Sequence, residues 1–479
     1  MQDTKNEALQ DIFKKNTLSI IRNYLSNNEK LNASLLSKKI HSYLKEALNV
    51  NVHVEEKEGE NIENLEQKLE EIHLTKIIES FTIDTHSRKY DFLSKTPSIT
   101  ALTIFIHKGQ EDINCLSDLT HLKKLIINGE VEGEIENLIT LSLTKKNNCI
   151  EELTLNHCDI KSVDSFIGLK KLVLNRSTIK EPKSKFSNIK KLEYISDDET
   201  IPIILQAEST KLFGYFDSLE ELRLANIYSK EYLNFLGNFT KLKKLDLFFA
   251  DNYSVGIDFL RDKTTLSELH LNNMKTNSGG YHNESIEKKI ENFTNLEKLS
   301  LINMNLKNLN FLSFLPKLKE LRIGGNNAID KFNNIGQITN LELLDISDCD
   351  VKNIDFFGFL ISLKKLNMSG NKSIKKLNPI SNLAKLEELD ISNCNLDLIN
   401  FFQELQSIKK LNLSNNSSIK NYDPLRALND LESLDIRNCG LTSIDTIKDL
   451  HHLIYVDLRG NKIDNIGLFY NQDRITIKK

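Results

Sequence analysis

The chain has 479 residues, 27% of them charged and 39% hydrophobic, enough for a substantial core in a soluble protein. Its 63 basic and 67 acidic residues leave a formal net charge of −4, so no whole-chain field draws nucleic acid or an anionic membrane. The opening MQDTKNEALQDIF lacks a basic-then-apolar leader, no apolar run is long enough to span a bilayer, and six cysteines lack close C-x-x-C spacing; these features predict reduced thiols and a cytoplasmic location.

Residues 1–50 predict short helices, because Leu9, Ile12, Phe13, Ile20, Ile21, Tyr24, Leu25, Leu35, Leu36, Ile40, Tyr43 and Leu44 recur at helical spacing. Within them, FKKNTLSIIRNYLSNNEKLNASLLSKKIHSYL, residues 13–44, resembles the F-box, a three-helix module that docks on Skp-type adaptors of cullin ubiquitin ligases. Leu18, Ile21 and Leu25 match its first apolar helix, Asn27 to Leu31 its polar turn and following leucine, and LLSKKIHSYL its closing helix. The opening Leu-Pro of the family is Phe13-Lys14 here, and Ile40 stands where an aromatic is common. The resemblance implies that Leu18, Ile21, Leu25, Leu31, Leu35, Leu36 and Ile40 bind such an adaptor; a plain helical cap on the following array is the other reading. Residues 51–76, with the acidic run EEKEGENIENLEQKLEE, predict a linker or solvated helix.

From residue 77 onward the chain repeats itself. Irregular copies at Phe81/Ile83, Leu102/Ile104, Leu125/Ile127, Leu153/Leu155, Leu172/Leu174 and Leu192/Tyr194 precede regular ones. These are Leu222/Leu224, Leu245/Leu247, Leu269/Leu271, Leu299/Leu301, Leu321/Ile323, Leu344/Ile346, Leu366/Met368, Leu389/Ile391, Leu411/Leu413, Leu434/Ile436 and Val456/Leu458. Each pair sits in L-x-x-L-x-L-x-x-N/C-x-L and alternates sides, so each copy predicts a short strand with one apolar face, stacked in parallel on its neighbours. Between strands, Ile374, Leu377, Ile380, Leu383 and Leu386 recur every three positions, which suits 3-10 turns.

The pattern resembles the internalin-like leucine-rich repeats. That resemblance implies an α/β solenoid: a horseshoe with a parallel concave sheet, a convex side of 3-10 turns and short helices, and a protein target bound on the concave face. The later steps alternate between 22 and 23 residues, giving a 45-residue doublet: LELLDISDCDV, LEELDISNCNL and LESLDIRNCGL. One half closes on Cys349, Cys394 or Cys439 and the other on Asn326, Asn371 or Asn416, an inward position where Asn can satisfy buried backbone groups.

Chemistry is hard to find in this text. The three doublet cysteines fall roughly 9–10 Å apart on alternate strands, too far to share a zinc ion, and His157-Cys158 and His451-His452 lack a second ligand pair. No phosphate-cradling, serine-hydrolase or zincin signature occurs, and no cysteine has the Cys-x-Asp of bacterial effector ubiquitin ligases. The expectation is a non-enzyme without metal or cofactor.

On the outward strand positions, Glu221, Lys244, Glu268, Lys298 and Glu320 alternate in sign, and Lys365, Glu388 and Lys410 resume after Leu343. Asp345, Asn367, Asp390, Asn412 and Asp435 alternate acid with amide, so these columns predict stabilising ladders. Recognition is expected where they break. Phe248 and Phe249 face outward or one folds into the core, beside Arg223, His270, Ile302 and Arg322. Arg437, Tyr455 and Arg459 form a second break, where the arginines also neutralise Asp435 and Asp457. Together the readings describe a protein-recognition molecule: an F-box-like substrate receptor of a eukaryotic cell, or of an intracellular bacterium acting in the host cytosol, or a plain binding scaffold.

Overall fold

The computed structural model describes residues 50–55, 78–84, 99–107, 116, 119–129, 139–142, 146–195, 212–227, 233–254, 258–260, 262–275, 286–374, 376–464 and 476–478. The chain divides into two compact units, Met1–Arg223 and Leu224–Lys479. The F-box-like segment 13–44 lies outside the described residues.

In the first unit a parallel ladder runs through β1 (Val50–Glu55), β2 (Ile78–Asp84), β3 (Ala101–Ile106), β4 (Lys124–Gly129), β6 (Glu152–Asn156), β8 (Lys171–Asn175) and β9 (Lys191–Ile195). The apolar pairs stand in register: Leu102 on Leu125, Leu125 on Leu153, Leu153 on Leu172 and Leu172 on Leu192. Every one of these side chains is buried, as strict alternation requires. Among the described residues the ladder begins one strand before Phe81/Ile83, where Val52 and Val54 pair with them. In the same unit, β5 (Ile139–Leu141) and β7 (Cys158–Ile160) form a separate two-stranded parallel sheet.

The division between units falls within β10 (Glu221–Ile227). In the second unit the parallel series runs from β11 (Lys244–Ser254) and β12 (Glu268–Lys275) through β13 (Lys298–Ser300), β14 (Glu320–Arg322), β15 (Leu343–Asp345) and β16 (Lys365–Asn367). It continues through β17 (Glu388–Asp390), β18 (Lys410–Asn412), β19 (Ser433–Asp435), β20 (Tyr455–Asp457) and β21 (Thr476–Lys478). Core leucines pair in register from Leu245 on Leu269 to Leu434 on Val456. Between strands lie five-residue 3-10 helices, among them Asp355–Phe359, Asn378–Asn382, Asn400–Glu404 and Asp423–Ala427.

The doublet is visible in the turns. After each Cys-type strand the residues flanking the cysteine adopt positive φ: Asp348 and Asp350, Asn393 and Asn395, Asn438 and Gly440. Asp, Asn and Gly tolerate that conformation best, which explains the DCD, NCN and NCG text. The cysteine backbone is then clamped from the next repeat. The Asn371 side-chain oxygen accepts the Cys349 and Val351 N–H groups at 3.2 and 2.9 Å, while its Nδ2 donates to the Ile346 and Met368 carbonyls at 2.8 Å each. Asn416 repeats the four bonds around Cys394, and Asn461 around Cys439. In the other direction the thiols reach back one repeat, Cys349 Sγ to the Ile323 carbonyl at 3.2 Å and Cys394 Sγ to that of Met368 at 3.3 Å. Burial pushes the Cys349 thiol up to about 12 and those of Cys394 and Cys439 to about 11, so all three are unreactive packing groups.

Candidate protein-binding surface

The outward strand positions of the second unit form columns across the sheet, because register partners stand side by side. In the column just before the core pair, Glu268 meets Lys244 at 2.7 Å and Lys298 at 3.4 Å, and Lys298 also meets Glu320 at 3.3 Å. Burial pushes the Glu268 carboxyl up, but the two ammonium groups outweigh it and hold it below the ordinary range. Past Leu343 the alternation resumes, Glu388 accepting from Lys365 and Lys410 at 3.1 Å each. The first unit has its own version, with Lys191 between Glu193 and Glu221.

A second charged column, one residue earlier, is absent from the sequence reading. Glu297, Lys319, Glu342, Lys364, Glu387, Lys409 and Glu432 alternate without interruption, with pairs at 2.8, 2.8 and 3.0 Å for Lys319–Glu297, Lys364–Glu342 and Lys409–Glu387. The signal was present as strict sign alternation at the repeat spacing.

The residues singled out for recognition fare differently. Phe248 and Phe249 are split by the strand's alternation: Phe248 is 40% exposed, whereas Phe249 has no exposed surface. The expectation of Phe249 as an outward anchor is corrected, because β11 runs on to Ser254 and places Phe249 in line with Leu245 and Leu247. Phe248 pairs with Asn272, whose side-chain oxygen accepts the Ile302 N–H at 3.4 Å, so Phe248 and the half-buried Ile302 share one column. His270 pairs with Asp246 and Ser300 in the neighbouring column; burial lowers its pKa, against the pull of Asp246. Arg322 is tied to Glu320 at 3.0 Å. Arg223 is exposed and belongs to the first unit.

At the far end the arginines do neutralise their neighbours. Arg437 forks onto Asp435 at 2.9 and 2.7 Å and lies 3.6 Å from Asp457, which also takes the Arg459 fork at 2.9 and 2.7 Å. Tyr455 is half-buried, with the Lys478 ammonium 5.5 Å from its ring centre. The adaptor-binding candidates Leu18, Ile21, Leu25, Leu31, Leu35, Leu36 and Ile40 lie outside the described residues. Among the described residues no His, Cys, Asp or Glu group of three or more is placed to hold a metal, and no helix is long and apolar enough to cross a membrane.

Between the two breaks the open face forms a shallow groove of about 390 Å³. Arg322, Asp345, Lys365, Asn367, Glu388, Asp390, Lys410, Asn412, Ser433 and Asp435 line it together with the core leucines of their strands. Its polar residues stand at fixed strand spacing on a rigid frame, which suits binding and positioning.

A parallel series of L-x-L strands joined by 3-10 turns and clamped by inward Asn defines a leucine-rich-repeat solenoid. Family models agree. A family model described as two copies of the leucine rich repeat matches residues 339–382, and a single-repeat model matches 449–470. None of the curated proteins matches the chain. Among solved structures, a leucine-rich-repeat protein of Leptospira interrogans is similar with a TM-score of 0.51 and 19% identity, over 88% of this chain and 98% of that one. An internalin of Listeria monocytogenes shares 16% identity over 87% of this chain and 93% of its own, with a TM-score of 0.36. Internalin C2 of the same species shares 21% over 41% of this chain and 85% of its own, with a TM-score of 0.33. At such identities the Leptospira likeness is one of fold.

Proposed function

We propose that the chain is a protein-recognition scaffold whose open sheet face in the second unit takes a protein partner, and whose segment 13–44 docks a Skp-type adaptor. The observation that carries the reading is Phe248, 40% exposed on a face built mostly of polar columns. A large aromatic held on a strand, with Ile302 in its column, is the kind of group that anchors interfaces. The docking half rests on the sequence of residues 13–44 and places the protein in a cytosol, that of the host if a bacterium exports it.

Two measurements test the halves separately. A partner captured from extract by the full chain should be lost by Phe248→Ala, with an unchanged melting curve, and kept by Phe359→Ala, a 63% exposed aromatic on a 3-10 helix. Retention by the Phe248 variant sinks the open-face reading. For the adaptor, titration of a purified Skp-type protein should show binding that Leu18→Ala with Leu36→Ala weakens at least tenfold. No binding by the intact chain leaves a scaffold without a ubiquitin link.

A further inference from the structure

The carboxylates of the groove are of two kinds. Glu388 meets two lysines and Asp435 meets Arg437, but no lysine or arginine among the described residues pairs with Asp345 or Asp390. Asp345, which lines the groove, accepts the Ser347 N–H and hydroxyl on Oδ1 at 3.0 and 2.7 Å, and its Oδ2 accepts no hydrogen bond from a described residue. Asp390 Oδ1 accepts the same two bonds from Ser392 at 2.9 and 2.7 Å, and its Oδ2 takes the Asn412 amide at 2.8 Å. Between them, Asn367 accepts the Ser369 N–H at 3.1 Å, and its Nδ2 donates to no described neighbour. Two carboxylates without an ion pair among the described residues, flanking an amide donor without an acceptor there, stand apart, with Arg322 beside Asp345 in register but turned to Glu320.

Their spacing selects an occupant. Asp345, Asn367 and Asp390 are register partners on three successive strands, so the carboxylates recur every two strand steps, roughly 9.6 Å. A polyproline II chain has three residues per turn and a rise of about 3.1 Å, returning a side chain to the same side every ~9.3 Å. A β-strand does so every ~6.7 Å, and an α-helix every ~5.4 Å. The polyproline II backbone also leaves its carbonyls unbonded, matching the free Asn367 amide. Charge leans the same way: three cations, Arg322, Lys365 and Lys410, face four carboxylates, Asp345, Glu388, Asp390 and Asp435, with Lys365 and Lys410 sharing Glu388 and Arg322, the register neighbour of Asp345, tied to Glu320.

We propose that this groove binds an extended polyproline II segment of a protein partner bearing lysine or arginine at every third residue. Successive cations sit on Asp345 and Asp390, and an intervening carbonyl accepts from Asn367. The inference rests on the open sheet face being the binding face, and it names the chemistry that face takes.

The test titrates the full chain with fluorescent (Pro-Pro-Lys)5, against (Pro-Pro-Glu)5 and a proline peptide with five lysines at every fourth position. Saturable binding is expected for the first alone, weakening as salt rises. Asp345→Asn with Asp390→Asn should weaken it at least tenfold at unchanged melting temperature. The matched pair Asp330→Asn with Asp397→Asn, exposed in the turns, should leave it within twofold. The proposal is overturned by absence of binding, by equal binding of the every-fourth peptide, or by binding indifferent to Asp345 and Asp390. Tighter binding of a helical peptide with lysines at i and i+7, about 10.5 Å apart, overturns the conformation and with it the proposal. If (Pro-Pro-Lys)5 fails while Phe248→Ala still loses a captured partner, the face binds protein of another chemistry; if both fail, the face itself is wrong.

Discussion

Asn371 satisfies two buried N–H groups and two buried carbonyls with one side chain, itself without exposed surface. Leaving a buried polar group unpaired costs about 1–3 kcal/mol. Asn371→Ala is therefore expected to destabilise the second unit by roughly 3 kcal/mol or more, since the Cys349 and Val351 N–H groups and the Ile346 carbonyl lose their partner at once, while the Met368 carbonyl keeps the Cys394 thiol. Urea denaturation checks this, and a loss under about 1 kcal/mol would show that the clamp is dispensable. His270 offers a second handle. Burial lowers its pKa beneath the ordinary value of about 6.5, so the folded protein binds fewer protons there than the unfolded chain. Its contribution is complete above about pH 6.5 and is lost as pH falls through the lower folded value. His270→Gln should flatten the stability profile in that window, and an identical slope in both proteins would assign the loss to other groups. Of these two residues the sequence disclosed Asn371, whose ninth-position spacing implied an inward amide, whereas the surroundings of His270 depend on β11 and β14, far away in the chain.

At the scale of the element, the short 3-10 helices stabilise the fold through what they bury. Phe356 and Phe357 pack with ring centres 4.7 Å apart, and Phe401 and Phe402 at 4.6 Å. Phe402 has no exposed surface, so Phe402→Ala should cost about 3–5 kcal/mol, the range for emptying a buried aromatic site. Phe359→Ala, on an exposed ring, should stay within about 0.5 kcal/mol; thermal melts of the two variants compare them directly. These turns were legible, because apolar residues at every third position are spaced too tightly for an α-helix and do not alternate as a strand does. Two strand-level features were harder. β1 carries its alternation in Val50, Val52 and Val54, but a single VNVHVE beside an acidic run reads as linker until β2 pairs with it. Phe249 was ambiguous because the sequence does not say how far β11 extends; a strand ending at Leu247 would have left both phenylalanines free to turn outward. Asp435 and Arg437, by contrast, disclosed their fork through i, i+2 spacing on one strand.

At the scale of the whole molecule, the Cys and Asn halves are complementary and not interchangeable. Each Cys turn receives its clamp from the Asn of the following repeat, as Cys349 does from Asn371 and Cys394 from Asn416. Deleting residues 361–405 joins Leu360 to Gln406 and removes one doublet of 45 residues, leaving Cys349 followed by Asn416 in place of Asn371. That variant should unfold as one cooperative transition. Deleting 361–383 joins Leu360 to Ala384 and sets one Cys half against another, so the Cys349 and Val351 N–H groups lose their acceptor. It should melt at a lower temperature than the longer deletion, although it removes less of the protein. The reverse order would show that the clamp does not set the phase of the array.

The same complementarity governs how a gene for this array can change its length. A copying slip that gains or loses 45 codons returns every clamp to a matching turn and yields a foldable product at once. A slip of 22 or 23 codons yields a mismatched joint that must be repaired by further mutation before the protein is worth keeping. Lineages carrying such arrays are thus expected to differ by even numbers of repeats, a parity imposed by four hydrogen bonds at one asparagine.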